Sequence, residues 1–316
     1  MTPTIFLGAY IIDILVGDPR WFSHPVAIIG RWTRFIEGKI RAHTTRASEK
    51  KGGIILWFSI VIPTFFITYG ITEVSFSLGA LCGMITTALL ASLTLATRSL
   101  YEESRVVIDA LTRGDMEAAR KGLSMIVGRD TANLNEGEIL RAVIETVSEN
   151  LSDGIVAPMF YLAVGGVPLA MTYKAVNTLD SMVGYKDAKY MDIGCFSAKM
   201  DDILNWIPAR ITGFIIVIAS FILRLNWRDS WRIMRRDGRN HTSPNSGIPE
   251  AAVAGALGVQ LGGKTSYFGK VTQKPTIGDK IKKTDKEDVK KTWVIMFTSS
   301  LLMAVLCTVI LWVIQR

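Results

Sequence analysis

A chain of 316 residues that is 49% hydrophobic and 20% charged, with mean hydropathy +0.30, is too apolar for an ordinary soluble domain. It is also too charged to be a bare lipid-buried bundle, so the mixture predicts membrane spans joined by substantial polar segments. The net charge of +8 falls in blocks between apolar runs, which matches a positive-inside distribution rather than a nucleic-acid surface, and the three cysteines show no CxxC or other metal spacing.

In chain order, the first apolar run carries one acid, Asp13, and has no basic n-region, so it predicts a short first span over 3–18 rather than a cleaved leader. A basic stretch through Lys51 follows, and then two uncharged runs predict spans at 54–72 and 75–97, with Glu73 alone between them. Basic residues return after Arg98, which places 98–153 in the cytoplasm as a helical segment and the N-terminus outside. Within it, Arg113-Gly114-Asp115 gives a turn with an N-cap, and Asn135 with Glu138 reads as a capping box. Segments 154–173 and 203–223 are apolar but carry Pro158, Gly165-Gly166, Pro168, Pro208 and Arg210. Helix breakers at membrane depth need protein or a polar cavity around them. The two are therefore read as re-entrant or buried helices, or as an additional pair of spans. Residues 224–291 form a basic cytoplasmic segment, with 264–291 expected as a solvated loop, and 293–314 is the last span. No alternation is strong enough to posit a sheet. The fold class is all-α: a polytopic helical membrane protein with cytoplasmic helical segments and loops.

The chemistry concentrates in five places. Asp13, Gly17-Asp18-Pro19-Arg20 and His24-Pro25 put an acid within an apolar run, which is expensive unless used. Gly128-Arg129-Asp130-Thr131 can hold a phosphate. Glu145, Glu149 and Asp153 recur one helical turn apart, and three carboxylates on one stripe call for a cation. Lys174, Asn177, Thr178 and Ser181 share a helix face beside Asp180, and Asp201-Asp202 runs into Asn205-Trp206-Ile207-Pro208-Ala209-Arg210. Last, Arg236 to Glu250 holds His241, Ser243-Pro244-Asn245 and Glu250 in a loop fixed by Pro, Asn and Gly. The string Gly258-x4-Gly263-Lys264-Thr265 formally matches a P-loop. It lacks the hydrophobic strand before it and the helix after it, and is set aside.

These blocks, in this order from Asp13 to about Gly269, resemble the CobD/CbiB family of integral-membrane cobalamin-biosynthesis proteins, the adenosylcobinamide-phosphate synthases. The resemblance rests on Asp18-Pro19, His24-Pro25-Val26, Gly128-Arg129-Asp130-Thr131 and Glu145-x3-Glu149-Asn150-x2-Asp153-Gly154. It continues through Tyr173-Lys174-Ala175-x-Asn177-Thr178-Leu179-Asp180-Ser181-Met182, Asp201-Asp202, Asn205 to Arg210, Ser243-Pro244-Asn245 and Gly258 to Gly263. One departure is Lys199, where the family pattern has arginine with its bidentate fork.

The resemblance implies ATP-dependent amide formation between adenosylcobyric acid, a corrinoid, and (R)-1-amino-2-propanol O-phosphate or a related amino alcohol, with ATP and Mg²⁺ as cofactors. For the chemistry the resemblance implies, Glu145, Glu149 and Asp153 are expected to hold the metal, and Lys174 and Arg210, with Asp180 or Asp202 as proton acceptor, to serve catalysis. Arg129, Thr131, Asn150 and Asn177, together with Ser181, His241, Ser243 and Asn245, complete the cofactor-binding set. It also implies a multi-pass protein of the cell membrane in contact with lipid, no nucleic-acid partner, and association with other late membrane enzymes of the pathway. Two other classes fit parts of the pattern. A transporter would explain Asp13 and Arg210 but predicts an internal repeat, which is absent. A signalling protein like the β-lactamase-regulation protein AmpE would not need the carboxylate and Ser243-Pro244-Asn245 blocks.

Overall fold

The computed structural model describes residues 1–18, 24–45, 48–185, 187–267 and 269–316. Pro19 and Arg20 of the first motif, Arg46 of the first basic stretch and Lys186 lie outside the described residues. The helices are α1 (Pro3–Val16), α2 (Pro25–His43), α3 (Glu49–Ser77), α4 (Ala80–Ser92), α5 (Thr97–Thr112), α6 (Met116–Ser124) and α7 (Glu136–Asn150). A π-helical stretch, Leu151–Val156, leads from α7 into α8 (Ala157–Val183). Then come α9 (Cys195–Leu204), α10 (Trp206–Ile222), α11 (Trp227–Asp237), α12 (Gly247–Leu257), strands β1 (Leu261–Tyr267) and β2 (Lys270–Ile277), and α13 (Lys286–Ile314).

Among the described residues four helical stretches are long and apolar enough to cross a membrane: Glu49–Ser77, Ala80–Thr112, Glu136–Val183 and Lys286–Ile314. Cys195–Leu204 and Trp206–Ile222 pass that test only as a pair, and Pro3–Val16 is a shorter apolar helix. The protein is a polytopic helical membrane protein. The three cysteines are free.

Contacts divide the chain into two compact units, residues 1–96, 157–205 and 304–316, and residues 97–156 and 206–303. In the first, α3 packs on α8, α4, α2 and α9, and α1 packs on α4. Its core joins Ile29, Leu56, Ile60, Val61, Val176, Leu179 and Ile193. The outward residues of α3 and α4 are apolar too, Phe66, Ile67, Leu81 and Ile85 among them, as a lipid-facing surface requires. Polar residues on these helices satisfy themselves internally. Thr64, Thr68 and Ser75 each donate to the carbonyl four residues back, at 2.7 Å. Within α8, Gly165 and Gly166 leave helical geometry, Gly166 at φ 66°, so the paired glycines break the helix where the sequence places its breakers.

In the second unit α5, α6 and α7 pack together, and α12 is enclosed by α7, α10, α11 and the strands. The α6 N-cap is Asp115, and the α7 capping box forms as spaced: Asn135 Oδ1 accepts from Glu138 N–H at 3.0 Å, and Glu138 Oε2 accepts from Asn135 N–H at 2.9 Å. α12 is built of Ala and Gly because α11 passes so close. A Cβ on Gly255 would collide with the Asp229 carbonyl, and Ser230 donates to the Ala252 carbonyl at 2.8 Å.

The expectation of a solvated loop over 264–291, with no sheet, is corrected. Strands β1 and β2 pair antiparallel as a hairpin. Its pattern hid because β2 is exposed at nearly every position and β1 buries only alternate residues, two of them glycines or next to one. A bulge between Leu261 and Gly263 puts Gly262 at φ 75°. The formal P-loop string is thereby excluded: Gly258 is the left-handed C-cap of α12, and Lys264 and Thr265 lie within a strand.

Candidate functional site

The second unit gathers charges of both signs around α7. Glu145, 6% exposed, is ion-paired with Arg129, 10% exposed, and accepts the Gly262 N–H at 2.7 Å. The bulge explains that last bond. Gly262 is released from the ladder, and a Cβ there would strike the Pro275 carbonyl, so only glycine delivers this N–H. Arg141, one turn before Glu145, brings Nε to 4.0 Å from its carboxylate and lies against Gly263. Arg141 Nε and Thr265 Oγ1 are buried without a hydrogen-bond partner among the described residues. Arg129's neighbour Asp130 ties the same loop to the hairpin, accepting from Ser266 Oγ at 2.7 Å and Gly269 N–H at 2.8 Å.

One turn on, Glu149 is half-buried and accepts from Ser246 Oγ at 2.8 Å. Ser246 caps α12, so Glu250, one turn into that helix, faces back along α7 toward Glu145. Glu250 is only 4% exposed. Burial, then the charges of Glu145 and Glu149, hold its carboxyl well above the usual carboxylate range, against the opposing pull of Lys274 and Arg129. His241 Nε2 lies 4.0 Å from Glu250 Oε1. Since His241 Nδ1 accepts the Ser243 N–H at 3.1 Å, the neutral ring carries its proton on Nε2, facing Glu250. Burial, then Lys274, pushes the His241 pKa down.

The Ser243-Pro244-Asn245 loop is a fixed turn. Ser243 Oγ accepts the N–H groups of Asn245 and Ser246 at 3.2 and 3.3 Å. Arg210 clamps it, donating Nη1 to Asn245 Oδ1 at 2.7 Å and Nη2 to the Pro244 carbonyl at 3.3 Å. Its plane also stacks on Trp206 at 4.6 Å. The hydrogen-bond partners of Arg210 among the described residues are the Trp206 and Pro244 carbonyls and the Asn245 amide oxygen.

Glu145, Glu149 and Asp153 were expected as one metal-binding stripe. Among the described residues no group of three His, Cys, Asp or Glu side chains gathers as a metal site. The α-helix ends at Asn150, and Asp153 falls in the π-helical stretch that follows it. Glu145 is already neutralised by Arg129. Asn150 spends its amide on the Thr146 carbonyl at 3.0 Å, and Thr131 is buried in the loop before α7.

The first unit holds a separate polar network. Asp201 is buried and accepts from Asn177 Nδ2 at 3.2 Å and Asn205 Nδ2 at 3.0 Å. Asn205 Oδ1 accepts the Tyr173 hydroxyl at 2.8 Å, and Tyr173 stacks on Tyr161. Asp201 is therefore the hub of this network. Thr178 and Ser181 donate to backbone carbonyls of their own helix, Lys174 and Thr178 respectively, and Asp180 lies against Gly184 near the end of α8. Lys174 and Asp202 are half-buried. At the N-terminal motif Asp13 is buried, and His24 Nε2 lies 3.2 Å from Asp18.

Fold and site together define a polytopic helical membrane protein with a two-signed charged site built from α7, α12, the Arg129 loop and a β-hairpin. Residues 6–296 match the family described as CobD/Cbib protein. The chain is 49% identical to the cobalamin biosynthesis protein CobD of Geobacter metallireducens, over 96% of this chain and 95% of that one. It is 50% identical to CobD of Clostridium perfringens over 91% of each, and 42% identical to the cobalamin biosynthesis protein CbiB of Salmonella typhimurium over 96% and 95%. The chain belongs to the CobD/CbiB family and has a role in cobalamin biosynthesis. No solved structure matches it significantly.

Arg141, Ser246 and Lys274 were not singled out as site residues from sequence, and Glu250 was noted in its loop without a role. Ser246 and Glu250 sit four apart across a predicted helix start, a signal present but unused. The hairpin contacts had no signal at all.

Proposed function

We propose that the chain joins the carboxylate of adenosylcobyric acid to (R)-1-amino-2-propanol O-phosphate, or a related amino alcohol, in an ATP-consuming step that yields adenosylcobinamide phosphate or the corresponding amide. A carboxylate does not acylate an amine until its oxygen becomes a leaving group, and phosphorylation by ATP provides that. The protein's part is then positioning and charge neutralisation.

The observation that carries this reading is the pair of orphaned buried donors, Arg141 Nε and Thr265 Oγ1, beside Arg129, Lys274 and the glycines of the hairpin. Buried donors without partners fit a site for an anionic group such as a phosphate. Mg²⁺ takes one or two carboxylates and completes its shell with water and phosphate oxygens. Glu149, half-buried and hydrogen-bonded among the described residues to the Ser246 hydroxyl, is the carboxylate best placed to hold it; Glu145 serves instead to fix Arg129. When bound, Mg²⁺ would supply neutralisation of phosphate charge. Arg129 and Arg141 orient the anion, and the Arg210 clamp keeps Ser246 aligned on Glu149 through the turn. Lys174 on the phosphates, and Asp180 or Asp202 as proton acceptor for the incoming ammonium, keep the roles that family membership suggests. We place the protein in the cell membrane with these polar segments on the cytoplasmic side, where ATP is found.

The test uses the purified full chain in detergent. ATP consumption is expected only when adenosylcobyric acid and the amino-alcohol phosphate are both present, and Glu149→Gln is expected to remove it while leaving the folded fraction unchanged. ATP turnover with neither co-substrate, or undiminished amide formation in Glu149→Gln, overturns the reading.

A further inference from the structure

Helix α11 presents three different stripes. Ser230, Ile233, Met234 and Asp237 are buried against the unit. In helical projection Arg232, Arg236 and Asp229 fall together on a second stripe, and it is neutralised. Arg232 donates to Asp229 and Asp279 at 2.7 Å each, and Arg236 holds Asp237 at 2.7 Å and Asp279 at 2.8 Å. The third stripe carries Trp227, Trp231, Arg228 and Arg235. Arg228 lies over the Trp227 ring at 5.4 Å and Arg235 over Trp231 at 5.7 Å. Among the described residues neither arginine forms an ion pair with a carboxylate, nor does Arg224 just before the helix.

The third stripe continues an apolar surface. Phe214, Ile218, Phe221 and Ile222 are about half exposed on one face of α10. Phe214 meets Trp231 at 5.3 Å between ring centroids, and Phe221 meets Trp227 at 5.8 Å. Aliphatic, phenyl, indole and guanidinium groups thus adjoin on one surface of this helix pair, and these are the side chains suited to acyl chain, interface and headgroup.

The corner between the helices adds an independent sign. Leu225 N–H bonds to the Ser220 carbonyl at 2.9 Å and Arg224 N–H to the Phe221 carbonyl at 3.1 Å, closing α10 in a Schellman motif. The position that favours glycine there is held by Arg224 at φ 57°, the only non-glycine with positive φ among the described residues. An arginine kept in a strained backbone position, exposed and without a carboxylate, implies use of its side chain.

We propose that the α10–α11 corner is a binding surface for anionic phospholipid, with Arg224, Arg228 and Arg235 on headgroup phosphates, Trp227 and Trp231 at the interface, and the exposed face of α10 along the acyl chains. A soluble anion would use the arginines but leave the apolar face and the indoles without purpose. An acidic protein surface would likewise leave α10 exposed.

The test titrates the full chain in neutral-detergent micelles with phosphatidylglycerol and counts bound lipid by native mass spectrometry, with phosphatidylcholine and inorganic phosphate as separate arms. Phosphatidylglycerol is expected to bind more tightly than phosphatidylcholine and to resist competition by inorganic phosphate. The double variant Arg228→Gln, Arg235→Gln is expected to raise its half-saturating fraction about 25-fold, at roughly fivefold per cationic side chain. Arg232→Gln, on the neutralised stripe, is expected to change it little. Arg224→Gly relieves the backbone strain, so it should raise the Tm while weakening phosphatidylglycerol binding, a combination that misfolding cannot produce. Unchanged binding in the double variant and in Arg224→Gly, an equal loss in Arg232→Gln, or displacement of the lipid by inorganic phosphate each overturns the proposal.

Discussion

Removing the Glu145 charge while keeping its shape, Glu145→Gln, strands the Arg129 guanidinium. Both side chains are nearly buried, and Glu145 additionally accepts the Gly262 N–H at 2.7 Å. A glutamine can still accept that N–H, so the loss is the charge-assisted bond, about 1.5–3 kcal/mol, plus the cost of an uncompensated buried cation. Together these give roughly 3–5 kcal/mol, with Arg141 at 4.0 Å recovering none of it because it is a like charge to Arg129. Arg129→Met alone strands the carboxylate instead, and Arg141 offsets part of that. The double variant removes both charges, and its destabilisation should fall short of the sum of the two singles by about 2–3 kcal/mol. The assay is denaturant unfolding of the full chain in detergent, run as a double-mutant cycle without nucleotide or corrinoid. Additivity within about 0.5 kcal/mol would refute the ion pair as a brace of the site. It would return Glu145 to the set of open carboxylates.

Glu250→Gln probes the buried carboxyl. Its folded pKa lies above the ordinary carboxylate value, so the folded state binds the extra proton and stability falls as pH rises from about 4.5 toward the folded pKa. His241, shifted downward, contributes in the opposite sense, gaining stability as pH rises through its folded pKa toward 6.5. Wild type should therefore lose more stability than Glu250→Gln on going from acid to neutral pH, as Tm against pH would record; parallel profiles would contradict it. In the first unit, Asp201→Asn replaces a two-oxygen acceptor of Asn177 and Asn205 with a group that accepts through one, at an expected cost of about 2–3 kcal/mol. Unfolding in detergent measures it, and a change below 0.5 kcal/mol would remove Asp201 as the hub of that network.

Much of the molecule is legible in one dimension because its signals are local. Membrane-length apolar runs, the Asn135/Glu138 capping box, the Asp115 cap and the break at Gly165-Gly166 each depend on neighbours within a few residues. Ordered blocks such as Glu145-x3-Glu149 and Ser243-Pro244-Asn245 carry the family, since a motif's identity does not require knowing what each side chain touches. Roles do require it. Asp153 falls in a π-helical stretch beyond the end of α7, which no spacing rule announced. Arg210 found a turn to clamp, and Asp201 rather than Asp202 met two amides, since adjacent residues on a helix point about 100° apart and only the neighbouring elements select one.

The hairpin is the sharpest case. Its strands bury too little to show an alternating pattern, yet its bulge turns one glycine N–H toward Glu145, and its second strand brings Lys274 to the same charges. The sequence by itself determined a helical membrane protein of cobalamin biosynthesis with acids, arginines and a fixed turn in a given order. Tertiary structure alone decided which acid is neutralised, which stands open and which is buried, because a carboxylate's state is set by the charges and solvent around it, and those come from residues far away in the chain.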